Sequence, residues 1–372
     1  MKKILFVIAR LNVGGTSKYL HQLAINLPKY GYEVLVLTGN VQGDEKEDSV
    51  VDEMPIKRIP HLGRKISFKD DFLARKEIKN AIQEFQPDII YSHTFKAGLL
   101  VRSLKIKQPL VHAFHGHSLT DPEFGAFSKK LIIGVERFLA SRCTKIVTVG
   151  NKVGEDLLKA GIGRPEQFVS IPPGVSAPRR QIKSKVKKLF KIENQNKVIV
   201  SWLGRFVSVK APERVLLIAK QIPNALFIMA GGGQLFNEIK EKLPKNVKLV
   251  GWQNSDLIYS ISDIVINTSL SEGMPIALIE AQLAGLPVVA IDHGSVSETV
   301  LDHSTGLIFS EFGNDYIGGI NSLVREKNLR SKYGKQAKIE ASKKFLPDVM
   351  IQNHIRLFES ITTPPSYKPR SS

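Results

Sequence analysis

Glu272 and Glu280, separated by seven residues, bracket a glycine and a proline at the head of an apolar run, Ile276 to Ala284. A short apolar stretch, Asp263–Asn267, precedes them. The order is strand, glycine loop, helix. Pro275 suits a first helical position, where a missing N–H costs nothing. Gly285 and Pro287 suit the stop. Helix mouths attract anions, because unpaired N–H groups and the helix dipole point outward there. Two acids beside such a site make sense if they bind something other than the anion, such as sugar hydroxyls. The cations lie elsewhere in the chain: Arg205 and Lys210 follow the apolar run Val198–Leu203 and precede a helical pattern opening near Pro212. A planar fork and a mobile ammonium at a strand's carboxyl end suit a diphosphate.

These groups need elements that bring them together. Apolar runs alternate with helical patterns throughout, as in parallel sheets covered on both faces. In the first half the strands expected are Lys3–Ala9, Glu33–Leu37, Ile56–Pro60, Asp88–Ser92, Leu110–Phe114, Lys145–Val149 and Phe168–Ile171. The second half repeats the pattern at Val198–Leu203, Ala225–Ala230, Val247–Val250, Asp263–Asn267, Pro287–Ile291 and Gly306–Phe309. Glycine loops follow several of these runs, at Gly14-Gly15, Gly204, Gly231–Gly233, Gly251 and Gly294. The turn-rich Ile171–Pro178 reads as a linker. The expected division is residues 1–174, then 175–347, with a helix at about 348–361 crossing back to the first domain and a mobile tail at 362–372.

The bulk properties narrow the class. The chain has 372 residues, enough for two domains of roughly 150–200 residues each. Its single cysteine, Cys143, cannot form an internal disulfide, and its apolar neighbours predict a buried, inert thiol. The opening apolar run, Ile4 to Ala9, is shorter than a signal-peptide core, and no stretch approaches the ~18 apolar residues of a membrane span. A cytoplasmic protein is expected. Lys and Arg outnumber Asp and Glu by 53 to 35, a formal charge of +18. That excess is the one feature that would suit nucleic acid; with no zinc-finger spacing, RNA-binding aromatic motif or helix-turn-helix beside it, no nucleic-acid partner is expected. Peripheral contact with an anionic inner membrane face fits equally well.

Taken together, these motifs resemble glycosyltransferase family 4, the retaining nucleotide-sugar transferases of GT-B fold. The likeness rests on Gly14-Gly15, Phe114-His-Gly-His117, Glu136-Arg-Phe-Leu139, Ile171-Pro-Pro-Gly174, Gly204-Arg205, Lys210, and the two glutamates with seven residues between them. It implies an α/β chain of two Rossmann-like doubly wound domains facing each other across a cleft. By the same likeness, Glu280 holds the donor ribose and Glu272 meets hydroxyls of the transferred sugar, near Gly273, Met274, Pro275 and Ile276. Arg205 and Lys210 neutralise the departing diphosphate, and Gly15, Gly204 and Gly251 allow close approach. His115 sits near the reacting sugar; His117 is the weaker candidate. No Asp-x-Asp pair occurs, so neither metal nor cofactor is expected beyond a nucleotide-sugar co-substrate, with UDP favoured over GDP. The implied acceptor is a polysaccharide or lipid-linked glycan. A sugar-nucleotide epimerase on the same fold and a non-catalytic nucleotide-sugar binding subunit are the alternatives. The chain departs from the family where Ala211-Pro212 follows Lys210, since a Gly and an acid are common there, and at Pro173, which replaces a common Asn.

Overall fold

The computed structural model describes residues 1–42, 45–63, 67–116, 126–192 and 196–362. The first seven strands are β1 (Lys2–Ile8), β2 (Tyr32–Thr38), β3 (Ile56–Arg58), β4 (Ile89–His93), β5 (Leu110–Phe114), β6 (Lys145–Thr148) and β7 (Phe168–Ser170). They form one parallel sheet in the order β3-β2-β1-β4-β5-β6-β7. Their runs of Val, Ile and Leu are buried on both faces by α1 (Gly15–Asn26), α2 (Phe68–Phe85), α3 (Phe95–Arg102), α4 (Ala126–Ala140) and α5 (Asn151–Lys159). Glu136, one of the motif residues, is structural. It receives both guanidinium nitrogens of the fully buried Arg102, at 2.7 and 2.9 Å, and so ties α4 to α3. Cys143 is buried and its thiol is pushed up to about 11 by that burial, which leaves it inert.

After the linker come α6 (Lys183–Leu189), β8 (Ile199–Leu203), α7 (Glu213–Gln221), β9 (Leu226–Ala230), α8 (Phe236–Glu241), β10 (Val247–Gly251), α9 (Ser255–Ile261) and β11 (Ile264–Ile266). Then follow α10 (Ile276–Leu283), β12 (Val288–Ile291), α11 (Val296–Thr299), β13 (Gly306–Phe309), α12 (Asn314–Arg325) and α13 (Lys327–Lys344). The six strands form a second parallel sheet, β10-β9-β8-β11-β12-β13. In each sheet the order reverses beside the first strand of its domain, between β1 and β4 and between β8 and β11. Such switch points are where doubly wound sheets hold ligands, at the carboxyl ends of the strands.

The last helix, α14 (Pro347–Thr362), returns to the first sheet and buries Met350, Ile351, Leu357 and Phe358 in its core. Thr362, assigned to the tail from sequence, is its final residue and is hydrogen-bonded to the Phe358 carbonyl. The rest of the tail, 363–372, lies outside the described residues.

Candidate active site

Both switch points open onto one cleft of about 620 Å³. The first domain lines it with Gly14, Gly15, Lys18, Tyr19 and His115. The second supplies Gly204, Arg205, Lys210, the 272–277 segment and Glu280. Two helix N-termini therefore meet there. A Cβ on Gly15, the first residue of α1, would lie 3.1 Å from the Ile276 side chain that opens α10. A Cβ on Gly273 would lie 2.1 Å from the His115 carbonyl oxygen, so only glycine lets these loops close. Glu298 adds a further bridge: its carboxylate accepts the Asn151 and Lys152 N–H groups, both at 2.8 Å, and caps α5 of the other domain.

Glu272 is nearly buried, and three donors converge on its Oε1: Lys210 Nζ at 2.6 Å, Ser269 Oγ at 2.6 Å and Asn267 Nδ2 at 2.9 Å. Burial alone would raise this carboxyl. The Lys210 ammonium and the hydrogen bonds outweigh it and hold the group below its usual range. Glu280 is also buried; it accepts the Tyr259 hydroxyl at 2.9 Å and pairs with Lys18 across the cleft. Glu272 thus precedes the α10 N-terminus and Glu280 lies about one turn into that helix, each already held by a lysine.

Two expectations need correction. Pro275 is not the first helical residue: its ψ of 104° is extended, so it caps α10 from outside while its carbonyl accepts Leu278 N–H at 3.0 Å. Gly251 does not line the cleft. Its carbonyl is used by Gly231 N–H at 2.8 Å to hold two strand ends together, and Trp252 to Ser255 form the wall instead. His117 lies outside the described residues.

His115 rests on a buried aromatic bed. Its Nε2 is 2.9 Å from His93 Nδ1, and the Tyr19 ring meets it edge-on at 4.7 Å between centroids. Burial first, then the neighbouring His354, depresses the His115 imidazole to about 3, so it is neutral near pH 7. It can donate or accept a hydrogen bond but cannot serve as a cation.

Lys18, Tyr259, Asn267, Ser269 and His93 belong to this constellation and were not singled out from sequence. Asn267 and Ser269 border the Glu272 segment, so strand-end position could have flagged them. Lys18 and Tyr259 are brought in from other elements and carried no local signal.

Residues 13–179 match the model of the glycosyltransferase family 4 domain, and residues 183–340 match that of the group 1 glycosyl transferases. A UDP-Gal:alpha-D-GlcNAc-diphosphoundecaprenol alpha-1,3-galactosyltransferase of Escherichia coli is 28% identical over 74% of this chain and 78% of its own length. Among solved structures, sucrose-phosphate synthase from Thermosynechococcus elongatus superposes with a TM-score of 0.84 at 17% identity, covering 97% of this chain and 99% of that one. Anabaena HepE in complex with UDP and glucose gives 0.81 at 20% identity, covering 97% of this chain and all of that one (100%). The chain belongs to glycosyltransferase family 4 and has its two-domain GT-B fold.

Proposed function

We propose that this glycosyltransferase moves a hexose or N-acetylhexosamine from a UDP-sugar, in preference to a GDP-sugar, to a lipid-linked or polysaccharide acceptor in cell-surface glycan biosynthesis, with retention at the anomeric carbon. One observation carries the reading. The N-termini of α1 and α10, the cations Arg205 and Lys210, and the carboxylates Glu272 and Glu280 all line the one cleft. A diphosphate fits the centre and hydroxyl-bearing rings fit the flanks. Glu280 then takes the ribose and Glu272 the transferred sugar, beside the N–H groups of Gly273, Met274 and Ile276. The relative named for UDP-Gal and a diphosphoundecaprenol-linked sugar supports the donor base and the acceptor class.

Breaking the bond between the anomeric carbon and the diphosphate oxygen leaves positive character on the sugar and negative charge on the leaving group. Arg205, Lys210 and the N-terminus of α10 stabilise that charge, a preorganised electrostatic term of the kind that dominates such catalysis. The acceptor oxygen bonds to carbon on the same face, and the departing phosphate oxygen takes its proton. The two cations supply the positive charge a divalent metal would otherwise bring, so metal-independent turnover is expected. His115 acts by hydrogen bonding to the sugar.

The test is transfer from UDP-galactose to an N-acetylglucosaminyl polyprenyl diphosphate in the presence of EDTA. The wild-type enzyme should stay active, and Glu272→Ala should lose about a hundredfold or more in rate, on the order of 3 kcal/mol of transition-state binding. UDP affinity, measured by calorimetry, should change less than about threefold, since Glu272 is assigned to the sugar. Abolished UDP binding would undo the assignment, and a sugar trapped covalently on Glu272 would overturn same-face substitution. Conversion of the donor with no acceptor present would favour an epimerase.

A further inference from the structure

The His93 side chain is fully buried under the cleft floor, yet among the described residues only one of its ring nitrogens has a partner. Nδ1 meets His115 Nε2 at 2.9 Å, while Nε2 has no hydrogen-bond partner. The ring stacks on Tyr91, at 4.5 Å between centroids, and lies edge to edge with His115, 5.2 Å away and within 26° of its plane. It is therefore fixed in plane, and among the described residues its sole polar contact is with a residue lining the cleft.

With both imidazoles neutral, one hydrogen lies between them, and two arrangements are open. If His115 Nε2–H donates, His93 carries its hydrogen on Nε2, a buried N–H with nothing to receive it. If His93 Nδ1–H donates, its Nε2 is a bare lone pair and His115 carries its hydrogen on Nδ1. Orphaned buried N–H groups are the rarer defect in folded proteins, which favours the second arrangement. The neighbouring His354 shows the same tautomer fixed by a carbonyl: its Nδ1 lies 2.9 Å from Met350 O, which can only accept, leaving Nε2 to receive the Tyr19 hydroxyl at 3.2 Å.

We propose that His93 is a positioning residue that locks His115 in its Nδ1–H tautomer, so that His115 offers a hydrogen-bond donor to a hydroxyl of the transferred sugar. The sugar in that statement rests on the function proposed above; the tautomer does not.

The experiment reads the two separately. Long-range proton–nitrogen spectra of histidine-labelled free enzyme, with His115 assigned through His115→Gln, report which ring nitrogen bears hydrogen. Protonated Nδ1 and bare Nε2 on His115 are expected in the wild type. His93→Phe keeps a flat ring but removes the donor. It should release His115 from a single tautomer, leaving a mixture of Nδ1–H and Nε2–H forms, and lower kcat for UDP release from UDP-galactose severalfold, with KM changed less than about twofold. His93→Asn, whose amide N–H can stand near the Nδ1 position, should recover most of that loss. A wild-type His115 protonated on Nε2 overturns the proposal, even if no variant folds, and so does a His93→Phe enzyme with unchanged tautomer and kcat. If UDP-galactose neither binds nor turns over while the tautomer is as stated, the failure lies with the assigned donor and not with His93.

Discussion

Glu280 shows most directly how the unliganded cleft is balanced. Its carboxylate is held by Tyr259 from its own domain and by Lys18 from the other, so on the proposed assignment a ribose competes with them for its oxygens. The Lys18 side chain is partly exposed, and such a pair is worth only about 0.5–1 kcal/mol. Lys18→Ala should therefore tighten UDP binding by roughly two- to fivefold in calorimetry, by removing a competitor for Glu280. Weaker binding would instead place Lys18 on the donor itself. Single residues also explain where the sequence departs from its family. Ala211, in a place where glycine is common, has φ 45° and ψ 55°, a left-handed conformation that only glycine adopts without cost. The family preference is thus a demand of the turn after Lys210, which this chain meets with strain.

Elements were the most legible level, because buried parallel strands leave unbroken Val, Ile and Leu runs that polar loops interrupt. All thirteen strands among the described residues were located from sequence to within two residues at either end. Of the helices not placed from sequence, α6 within the basic run is short and buries only Val186, whereas α12 is twelve residues long and buries five apolar side chains. The candidate site was legible where its residues follow strand ends, as Arg205 and Glu272 do, and illegible where distant elements converge, as Lys18 and Tyr259 do. The basic residues of α2 take on meaning only with their partners in view. Asp71, Glu77 and Glu84 are engaged by Lys96, His61 and Lys57, which leaves Lys69, Arg75, Lys76 and Lys79 with only the exposed Asp70 among them, a net basic surface. One turn apart beside them, Phe68 is 95% and Phe72 70% exposed. Among the described residues no helix is long and apolar enough to cross a membrane. Aromatic tips among cations suit an anionic lipid interface, at about 1 kcal/mol per basic residue near the surface. The enzyme should co-sediment with vesicles containing phosphatidylglycerol, and the double variant Phe68→Ser, Phe72→Ser should lose most of that binding. Equal pelleting of the two would remove α2 from any membrane contact.

At the scale of the whole molecule, the two domains share a fold but differ in how they answer to acid. His93, His112 and His354 come from β4, β5 and α14, and all three are buried in the first domain. Burial is the main cause of depression in each. Neighbouring His115 and His354 add to it at His93, and Arg102 adds to it at His112, while at His354 the bond to the Met350 carbonyl opposes it and the group sits at about 4. In the second domain His303 is exposed and His293 is only half-buried, its imidazole lowered by that burial and by Arg214, so fewer groups there resist protonation. A histidine in the unfolded chain titrates near 6.5. The folded groups titrate lower, so their stability contribution is complete above about pH 6.5. It is lost as pH falls toward the folded values, because the unfolded state takes up protons that the folded state refuses. Each group can cost up to about 1.4 kcal/mol per pH unit within that window. Both tryptophans, Trp202 and Trp252, lie in the second domain, so their fluorescence follows it alone, whereas circular dichroism follows both. In urea titrations between pH 7.5 and 5.5, the circular dichroism midpoint should fall steeply and its first phase should separate from the tryptophan transition. A midpoint that holds steady over this range would mean that the three imidazoles are not buried and neutral as described. Because His115 is itself held near 3, loss of activity over the same range should track unfolding of the first domain. Titration of a catalytic base at that residue would instead show as activity lost while the fold persists.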